Sequence, residues 1–368
     1  MKQRILILNP LKDIPHWGLT THAVNVFSRF PAARFEIYGF FNNPSFAQGP
    51  LKQIPLYVGW RGVRHGISAV RSLKPDVLYG TGAGVELFFY LCRPKNAKYV
   101  IAWHGPYDKH WLLDIGNYSL KAHLSYYIAT YLLSRADLFF CDSEFIAGSL
   151  REHFPETRTI VTLNGVDGEF YSPKKQNKKW LAEKFSIASD RPTFLFVGHL
   201  IRRKRPEIFV ALARRFPQAY FVMIGREGLY TKENVAEWEA SAKNLKWVPS
   251  SISREEMPIL FASASGLVFP SLDEPFGFAV IEAMASGIVV FGARSGALPE
   301  LVKDKEEGFL IPLGQGEMDN YANALGKILK GGPLIAEMKK KARAKAEAVF
   351  DWSGVACRYE VAFNGLYE

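Results

Sequence analysis

Short runs of β-branched, aliphatic and aromatic residues recur along the chain, each followed by a stretch long enough for a helix. In the first half the runs fall at 4–9, 35–40, 76–79, 99–103, 138–141 and 160–163. In the second half they fall at 193–197, 220–224, 245–248, 266–269, 288–291 and 309–311. The runs are almost continuously apolar rather than alternating, the pattern of strands covered by helices on both faces. Amphipathic stretches such as 19–30 and 120–134 separate them. Strand–helix alternation predicts parallel sheets with right-handed crossovers, hence an α/β protein.

A chain of 368 residues exceeds what one hydrophobic core usually serves, so two domains are expected. The seam is expected at 171–190, which carries Pro173, two lysine pairs and few large apolar residues before Trp180 and Phe185. That reading gives an N-terminal Rossmann-like domain at 1–170, a linker at 171–190 and a second such domain at 191–349. A C-terminal helix at 350–368 is expected to cross back to the first domain. In open α/β sheets ligands bind beyond the carboxyl ends of the strands. Two such domains predict a cleft between them, with the informative residues just after strands.

Composition narrows the partners. With 48% hydrophobic and 22% charged residues, the chain is not of the disordered class. No apolar run reaches the roughly 18 residues of a membrane-spanning helix. The first apolar run, about four residues, is too short for the core of a signal peptide. Cys92, Cys141 and Cys357 stand far apart with no CxxC pair, which excludes a disulfide framework or cysteine zinc site and fits a reducing, cytoplasmic setting. The net charge of +10 favours anionic ligands. It divides evenly, +5 over residues 1–170 and +5 over the remainder, so neither half is a basic arm and nucleic acid is not an expected partner.

The richest segment runs from Ser271 to Gly287. A strand ends at Phe269, a turn carries Asp273, Glu274 and Pro275, and a helix starts near Gly277 with Glu282 inside it. Rise per residue puts the two glutamates on the order of 10 Å apart, wider than the roughly 5–9.5 Å of a glycosidase pair. Between them the helix N-terminus offers unpaired N–H groups and a positive dipole end, an anion site. Carboxylate, anion hole and carboxylate suit a sugar hydroxyl, a diphosphate and a ribose; a plain amphipathic helix with two surface glutamates fits the same spacing.

A second segment, Gly198-His199-Leu200-Ile201-Arg202-Arg203-Lys204-Arg205, follows another strand with a basic turn, suited to a leaving diphosphate. A third set follows strands of the first half. Gly18, after His16 and Trp17, permits close backbone approach. His104 can hydrogen-bond a ligand, and Asn164-Gly165-Val166-Asp167 reads as a shaping turn. Gly80-Thr81-Gly82-Ala83-Gly84 lacks the G-x-G-x-x-G order and reads as a tight turn. No Asp-x-Asp triplet is present.

These segments resemble glycosyltransferase family 4, the retaining GT-B enzymes also described as glycosyl transferases group 1. The Glu274–Glu282 segment is similar to the family's E-x7-E signature, and Gly296-Ala297-Leu298-Pro299-Glu300 and Asn164–Asp167 resemble further family segments. The resemblance implies a GT-B fold and metal-independent, configuration-retaining transfer from a nucleoside diphosphate sugar, with no cofactor. It implies Glu274, His104 and Lys204 as catalytic residues. Donor binding is implied for Gly18, His199, Arg203, Lys204, Phe276, Gly277, Phe278 and Glu282. His199 stands where the family usually has arginine; either His199 still donates a hydrogen bond there or Arg202 or Arg203 takes over the charge. The expected acceptor is a glycan, glycolipid or lipid-linked molecule, in surface polysaccharide or glycoconjugate synthesis. Net charge and the 126–133 tyrosine–leucine helix suggest an anionic membrane surface as a further partner, with peripheral placement on its inner face. Alternatives are another sugar-nucleotide enzyme on the same fold, an epimerase or inverting transferase, and a non-catalytic anion-binding protein.

Overall fold

The computed structural model describes residues 2–9, 18–81, 86–105, 120–188, 190–249 and 252–367. The chain divides into two compact units, 1–164 with 352–368, and 165–351. The first holds β1 (Gln3–Ile7), α1 (Gly18–Phe27), β2 (Phe35–Phe40), β3 (Leu51–Ile54), α2 (Gly59–Leu73), β4 (Val77–Gly80), α3 (Glu86–Leu91), β5 (Lys98–Trp103), α4 (Leu120–Leu133), β6 (Leu138–Cys141), α5 (Glu144–His153) and β7 (Thr159–Val161). Among the described residues its seven strands are all parallel and ordered β3-β2-β1-β4-β5-β6-β7.

The second unit holds α6 (Lys178–Phe185), β8 (Thr193–Val197), α7 (Pro206–Arg215), β9 (Tyr220–Ile224), α8 (Lys232–Ser241), β10 (Leu245–Val248), α9 (Met257–Ser263), β11 (Gly266–Phe269), α10 (Phe278–Ala285), β12 (Val289–Ala293), α11 (Leu298–Leu301), β13 (Gly308–Ile311), α12 (Glu317–Lys330) and α13 (Pro333–Val349). Among the described residues its six parallel strands run β10-β9-β8-β11-β12-β13. Helix α14 (Trp352–Asn364) then returns to the first unit.

Both faces of each sheet are covered, which is why the strands read as continuous apolar runs. In the first unit Leu78, Tyr99, Ile101 and Phe139 meet Val70 of α2, Phe89 of α3, Leu132 and Leu133 of α4 and Leu150 of α5. The alternate residues Tyr79 and Phe140 point the other way, into rings from α1 and α14: Phe140 lies 4.3 Å from Tyr359 and 5.3 Å from Phe363. In the second unit Phe194 stacks on Phe221 at 5.6 Å, and Phe209 closes on Phe221 at 5.2 Å.

Each strand order reverses once, at β1/β4 and at β8/β11. Loops that leave the two strands of such a pair lie side by side, and ligands favour this switch point. Segments 198–205 and 270–277 leave β8 and β11.

Three expectations differ from the fold. Strand β3 was not foreseen. It is an edge strand with its two middle residues exposed, so it lacks an apolar run. The 171–190 segment is not a bare linker: it holds a 3-10 turn at Pro173–Lys175 and α6, and the two units part between Asn164 and Gly165. The tyrosine–leucine stripe of α4 is split, with Leu132 and Leu133 fully buried and Tyr127 exposed. Among the described residues, no helix is long and apolar enough to cross a membrane.

Phe363 is fully buried and touches Phe27, Phe30, Tyr79 and Phe140. Phe363→Ala is therefore expected to lower stability by about 3–5 kcal/mol, read as a shift in denaturant midpoint. A loss below about 1 kcal/mol would mean that α14 adds little to the first unit's core.

Candidate functional site

In the second unit the direct pairing of β8 with β11 brings together residues some seventy positions apart. After β8, residues 202–204 form one turn of 3-10 helix, and Arg205 sits in the left-handed region at φ 52° before Pro206 opens α7. That geometry turns Lys204 inward. Its Nζ donates to Glu274 Oε2 at 2.6 Å and lies 5.1 Å over the Phe269 ring. Arg203 Nη1 donates to the same oxygen at 2.8 Å, so Glu274 Oε1 takes no part in the trio. Arg205 is used elsewhere, in a two-pronged pair with Glu317 at 2.7 and 2.8 Å, and Arg202 is exposed.

Glu274 is buried. Burial alone pushes its carboxyl up, but the Lys204 and Arg203 charges more than offset this and hold its pKa below the ordinary value. Lys204 shifts the other way from a usual ion pair. Its own burial outweighs the carboxylate, with Arg203 adding repulsion, and its pKa is lowered. Two cations and one carboxylate leave a net +1 in a poorly solvated place.

The Glu274 loop is clamped from both sides. Leu272 N–H donates to Arg203 O at 2.9 Å and Ala297 N–H donates to Glu274 O at 2.9 Å. Asp273, at φ 47°, is held by Ser295, whose hydroxyl accepts from Asp273 N–H at 3.0 Å. Gly296, at φ 57°, packs so closely that a Cβ would fall 2.4 Å from Glu274 N. Gly277 precedes α10 at φ 106° with no side-chain cap, and a Cβ there would meet Phe269 and Val280 at 3.3 Å. The backbone at this helix N-terminus is thus left uncovered by its own residue. Phe276 is buried, 6.2 Å from Phe350, and Phe278 lies 5.8 Å from Phe276.

Glu282 lies on α10 against Tyr171, whose hydroxyl donates to it. Burial lifts the carboxyl from its ordinary 4.5 to about 7, countered in part by Tyr171 and Arg254. Arg343 places Tyr171, with Nη1 donating to Tyr171 O at 2.6 Å and Nη2 to Gly168 O at 2.9 Å. His199 is exposed beside this turn. Partial burial, then Arg226 and Lys204, lower its pKa, so the imidazole is neutral near pH 7.

In the first unit the chemistry-bearing residues again follow strands. His104, after β5, shares a 2.7 Å hydrogen bond between its Nδ1 and Asp142 Oδ2 after β6. Burial pushes Asp142 up, but the His104 charge and hydrogen bond hold it below its ordinary value. Buried His22, on α1, shares a 2.5 Å hydrogen bond with Asn164 Oδ1 after β7 and stands edge-on to His104 at 5.6 Å. Burial and His104 depress His22 to about 4, so it is neutral. Asp142, His22, Tyr171 and Arg343 were not foreseen. Only Asp142, a carboxylate directly after a predicted strand, left a local signal.

Gly18 is the first residue of α1; His16 and Trp17 lie outside the described residues. The glycine-rich 80–84 turn is described at Gly80 and Thr81 only. Buried Glu86 accepts from Thr81 N–H at 2.9 Å and from the Tyr99 hydroxyl at 2.7 Å.

Two doubly wound domains of this kind make the GT-B fold. Sucrose-phosphate synthase from Thermosynechococcus elongatus matches with a TM-score of 0.77 and 19% identity, covering 100% of this chain and 99% of that one. Anabaena HepE, solved with UDP and glucose, matches at 0.75 and 19% identity, covering 99% and 100%. The model of the family described as Glycosyltransferase Family 4 matches residues 18–170, and that described as Glycosyl transferases group 1 matches residues 177–345. The chain belongs to glycosyltransferase family 4. It is 25% identical over 293 residues to a sulfoquinovosyl transferase of Arabidopsis thaliana, covering 78% of this chain and 56% of that one. The chain spans about half the length of the curated relatives it matches.

Gly296→Ala tests the clamp. A Cβ at φ 57°, 2.4 Å from Glu274 N, forces the 273–275 loop to move. The expected cost is about 1–3 kcal/mol, read as a lower thermal midpoint. An unchanged midpoint would show that the loop yields freely.

Proposed function

We propose that this chain is a retaining, metal-independent glycosyltransferase. It moves a sugar from a nucleoside diphosphate to a glycan, glycolipid or lipid-linked acceptor in surface polysaccharide or glycoconjugate synthesis. The observation that carries this reading is the trio in which Arg203 and Lys204, from the turn after β8, meet buried Glu274 in the loop that leads to the α10 N-terminus, leaving a surplus positive charge. A departing diphosphate gains negative charge as the glycosidic bond breaks, and fixed cations and helix amides lower that barrier.

In this reading Lys204, Arg203 and the Gly277–Phe278 backbone take the diphosphate, with Phe276 supporting that backbone from below. Glu274 holds both cations through Oε2 and offers Oε1 to a sugar hydroxyl. The neutral His199 can donate an N–H but no charge. Glu282 accepts from the ribose hydroxyls. His104, its Nδ1 engaged by Asp142, presents Nε2 as the first unit's candidate for the reacting sugar, and Gly18 gives backbone access there. The leaving phosphate accepts the acceptor's proton in a front-face attack; a stable glycosyl-enzyme adduct on trapping would overturn that step. UDP and glucose in the solved Anabaena protein make UDP-glucose the first donor to try in a hydrolysis and thermal-shift panel of uridine, guanosine and adenosine diphosphate sugars.

Lys204→Ala is expected to reduce kcat by about 10²–10³-fold while the thermal midpoint shows the variant folded. Activity within twofold of the parent, in the presence of EDTA, would remove the trio from the mechanism; dependence on added metal would remove the metal-independent reading.

Glu282 predicts a pH dependence of opposite sign for folding and for ligand binding. A carboxyl raised to about 7 from 4.5 favours the protonated folded state. Its contribution is complete below about pH 4.5 and is lost as pH rises to about 7. Stability relative to Glu282→Gln should therefore fall across that window. Nucleotide binding needs the carboxylate, so affinity should rise through pH 7 in the parent and stay flat in the variant. Equal pH profiles would detach Glu282 from the nucleotide.

A further inference from the structure

The carboxyl ends of β8 and β11 lead to the Glu274 trio; their amino ends hold a second polar cluster. Thr193 opens β8, and Ser265, just before β11, donates its N–H to Thr193 O at 2.7 Å. The hydroxyl residues 193, 263 and 265 are thereby gathered where the two strands begin. Helix α6 is fastened over this end. Asn177 N–H donates to Ser263 Oγ at 2.8 Å, and Asn177 Oδ1 caps the helix by accepting from Trp180 N–H at 2.9 Å. Between α6, residues 187–188 and 190–193, and the start of β11 lies a cavity of about 80 Å³. One water needs roughly 10–15 Å³ of such space, so the cavity has room for several waters or one small polyatomic ion. Leu181 and Ile187 form its apolar wall. Strand β8 is five residues long, which sets the cavity on the order of 15 Å from the Lys204 turn.

The lining is equipped to donate hydrogen bonds. Thr193 is 2% exposed, lines the cavity, and its buried hydroxyl has no hydrogen-bond partner among the described residues. Leaving a buried hydroxyl unpaired is costly, and an acceptor placed in the cavity removes that cost. Ser263, also buried, accepts from Asn177 and keeps its own proton to give. Ser265 lines the same space. Lys178 and Arg191 stand exposed at its rim, with Arg191 5.6 Å over the Tyr220 ring. Lys339 on α13 backs Lys178: burial, then the charge of Lys178, lower the Lys339 pKa. Among the described residues Lys178, Arg191 and Lys339 make no ion pair. Asp190, the acid of the lining, is exposed and pairs with none of them, so positive charge is in surplus.

We propose that this cavity binds a phosphate group, as inorganic phosphate or on a small monoester, at a site separate from that of the transferred sugar's diphosphate. Hydroxyls on the buried side and cations at the rim approach from more directions than a planar carboxylate covers, whereas a tetrahedral phosphate turns an oxygen to each. The buried side supplies neutral donors and the rim supplies charge, so the ion is compensated as it leaves water. The α6 N-terminus is not the site, since Asn177 already caps it. The proposal is independent of the transfer chemistry, because it uses none of the residues assigned to that reaction.

The test is thermal denaturation of the full chain with increasing low-millimolar inorganic phosphate, at an ionic strength held constant with chloride. The midpoint is expected to rise as a saturable function of phosphate, as binding to the folded state requires. Lys178→Gln with Arg191→Gln should raise the phosphate Kd about tenfold or more. Thr193→Val should weaken the response by about tenfold. Its phosphate-free midpoint should equal or exceed the parent's, because it removes an unpaired buried hydroxyl; a purely structural threonine would lose stability instead. Lys204→Ala should keep the response, which places the bound ion here and not with the donor. A stronger response to glycerol 3-phosphate identifies a monoester as the ligand, and a weaker one the free ion; both uphold a phosphate site. An equal response to acetate would overturn the proposal. So would a response that Lys204→Ala abolishes and the Lys178 and Arg191 double variant keeps, or no saturable response in the parent.

Discussion

The second unit is organised around the expense of removing the Glu274 charge from water. An ionised carboxylate cannot be buried alone. Its compensation comes from a turn some seventy residues earlier, and that turn is adjacent only because β8 and β11 pair directly. The rest of the local structure serves this encounter. Arg203 O receives the N–H of Leu272, Glu274 O receives that of Ala297, and a glycine at 296 lets the second clamp approach. The loop is therefore held by backbone bonds and the carboxylate by side chains, so neither can shift without the other. Because two cations share one oxygen, the cluster is left with charge that an anion would complete.

The first unit meets the same problem with a different solution. Asp142 is buried behind β6, but no lysine or arginine ion pair accompanies it among the described residues. Its support is His104, with His22 and Asn164 behind. Since burial holds His22 neutral, the cluster contains little net positive charge. It orients an imidazole instead of storing a cationic field. One unit thus presents a site suited to phosphate and the other a site suited to a hydroxyl or a proton.

The fold was legible because strands covered on both faces are rich in apolar residues, and among the described residues twelve of the thirteen strands overlap an expected run. β3 does not, being an edge strand whose middle residues Lys52 and Gln53 face solvent. Lys204 and Glu274 lie in the loops that leave β8 and β11 and Gly277 precedes α10, and it was the resemblance to the family's motifs, not position alone, that singled them out. Tyr171 was not legible. It fell in a segment that looks like a linker, and what brings it to Glu282 is Arg343, 172 residues further on. The 126–133 stripe was legible only in part, Tyr127 and Tyr131 being exposed as expected and Leu132 and Leu133 buried. A helix exposed on one side and buried on the other needs apolar residues on both when its outer face is also apolar, so periodicity does not say which leucines are inside.

His199 shows how a local departure can be absorbed. The position follows β8, where the family usually carries arginine. Here the imidazole is kept uncharged by partial burial and by the positive charges of Arg226 and Lys204. Arg226 follows β9, the strand next to β8, and its backbone carbonyl accepts from Leu200 N–H at 2.9 Å. The two loops are therefore fastened together, and the positive field at position 199 comes from its neighbours. A further cation at 199 would have to stand beside Lys204, already depressed by its own burial and by Arg203. A neutral donor there adds no repulsion, and Arg203 is left free of it to share Glu274.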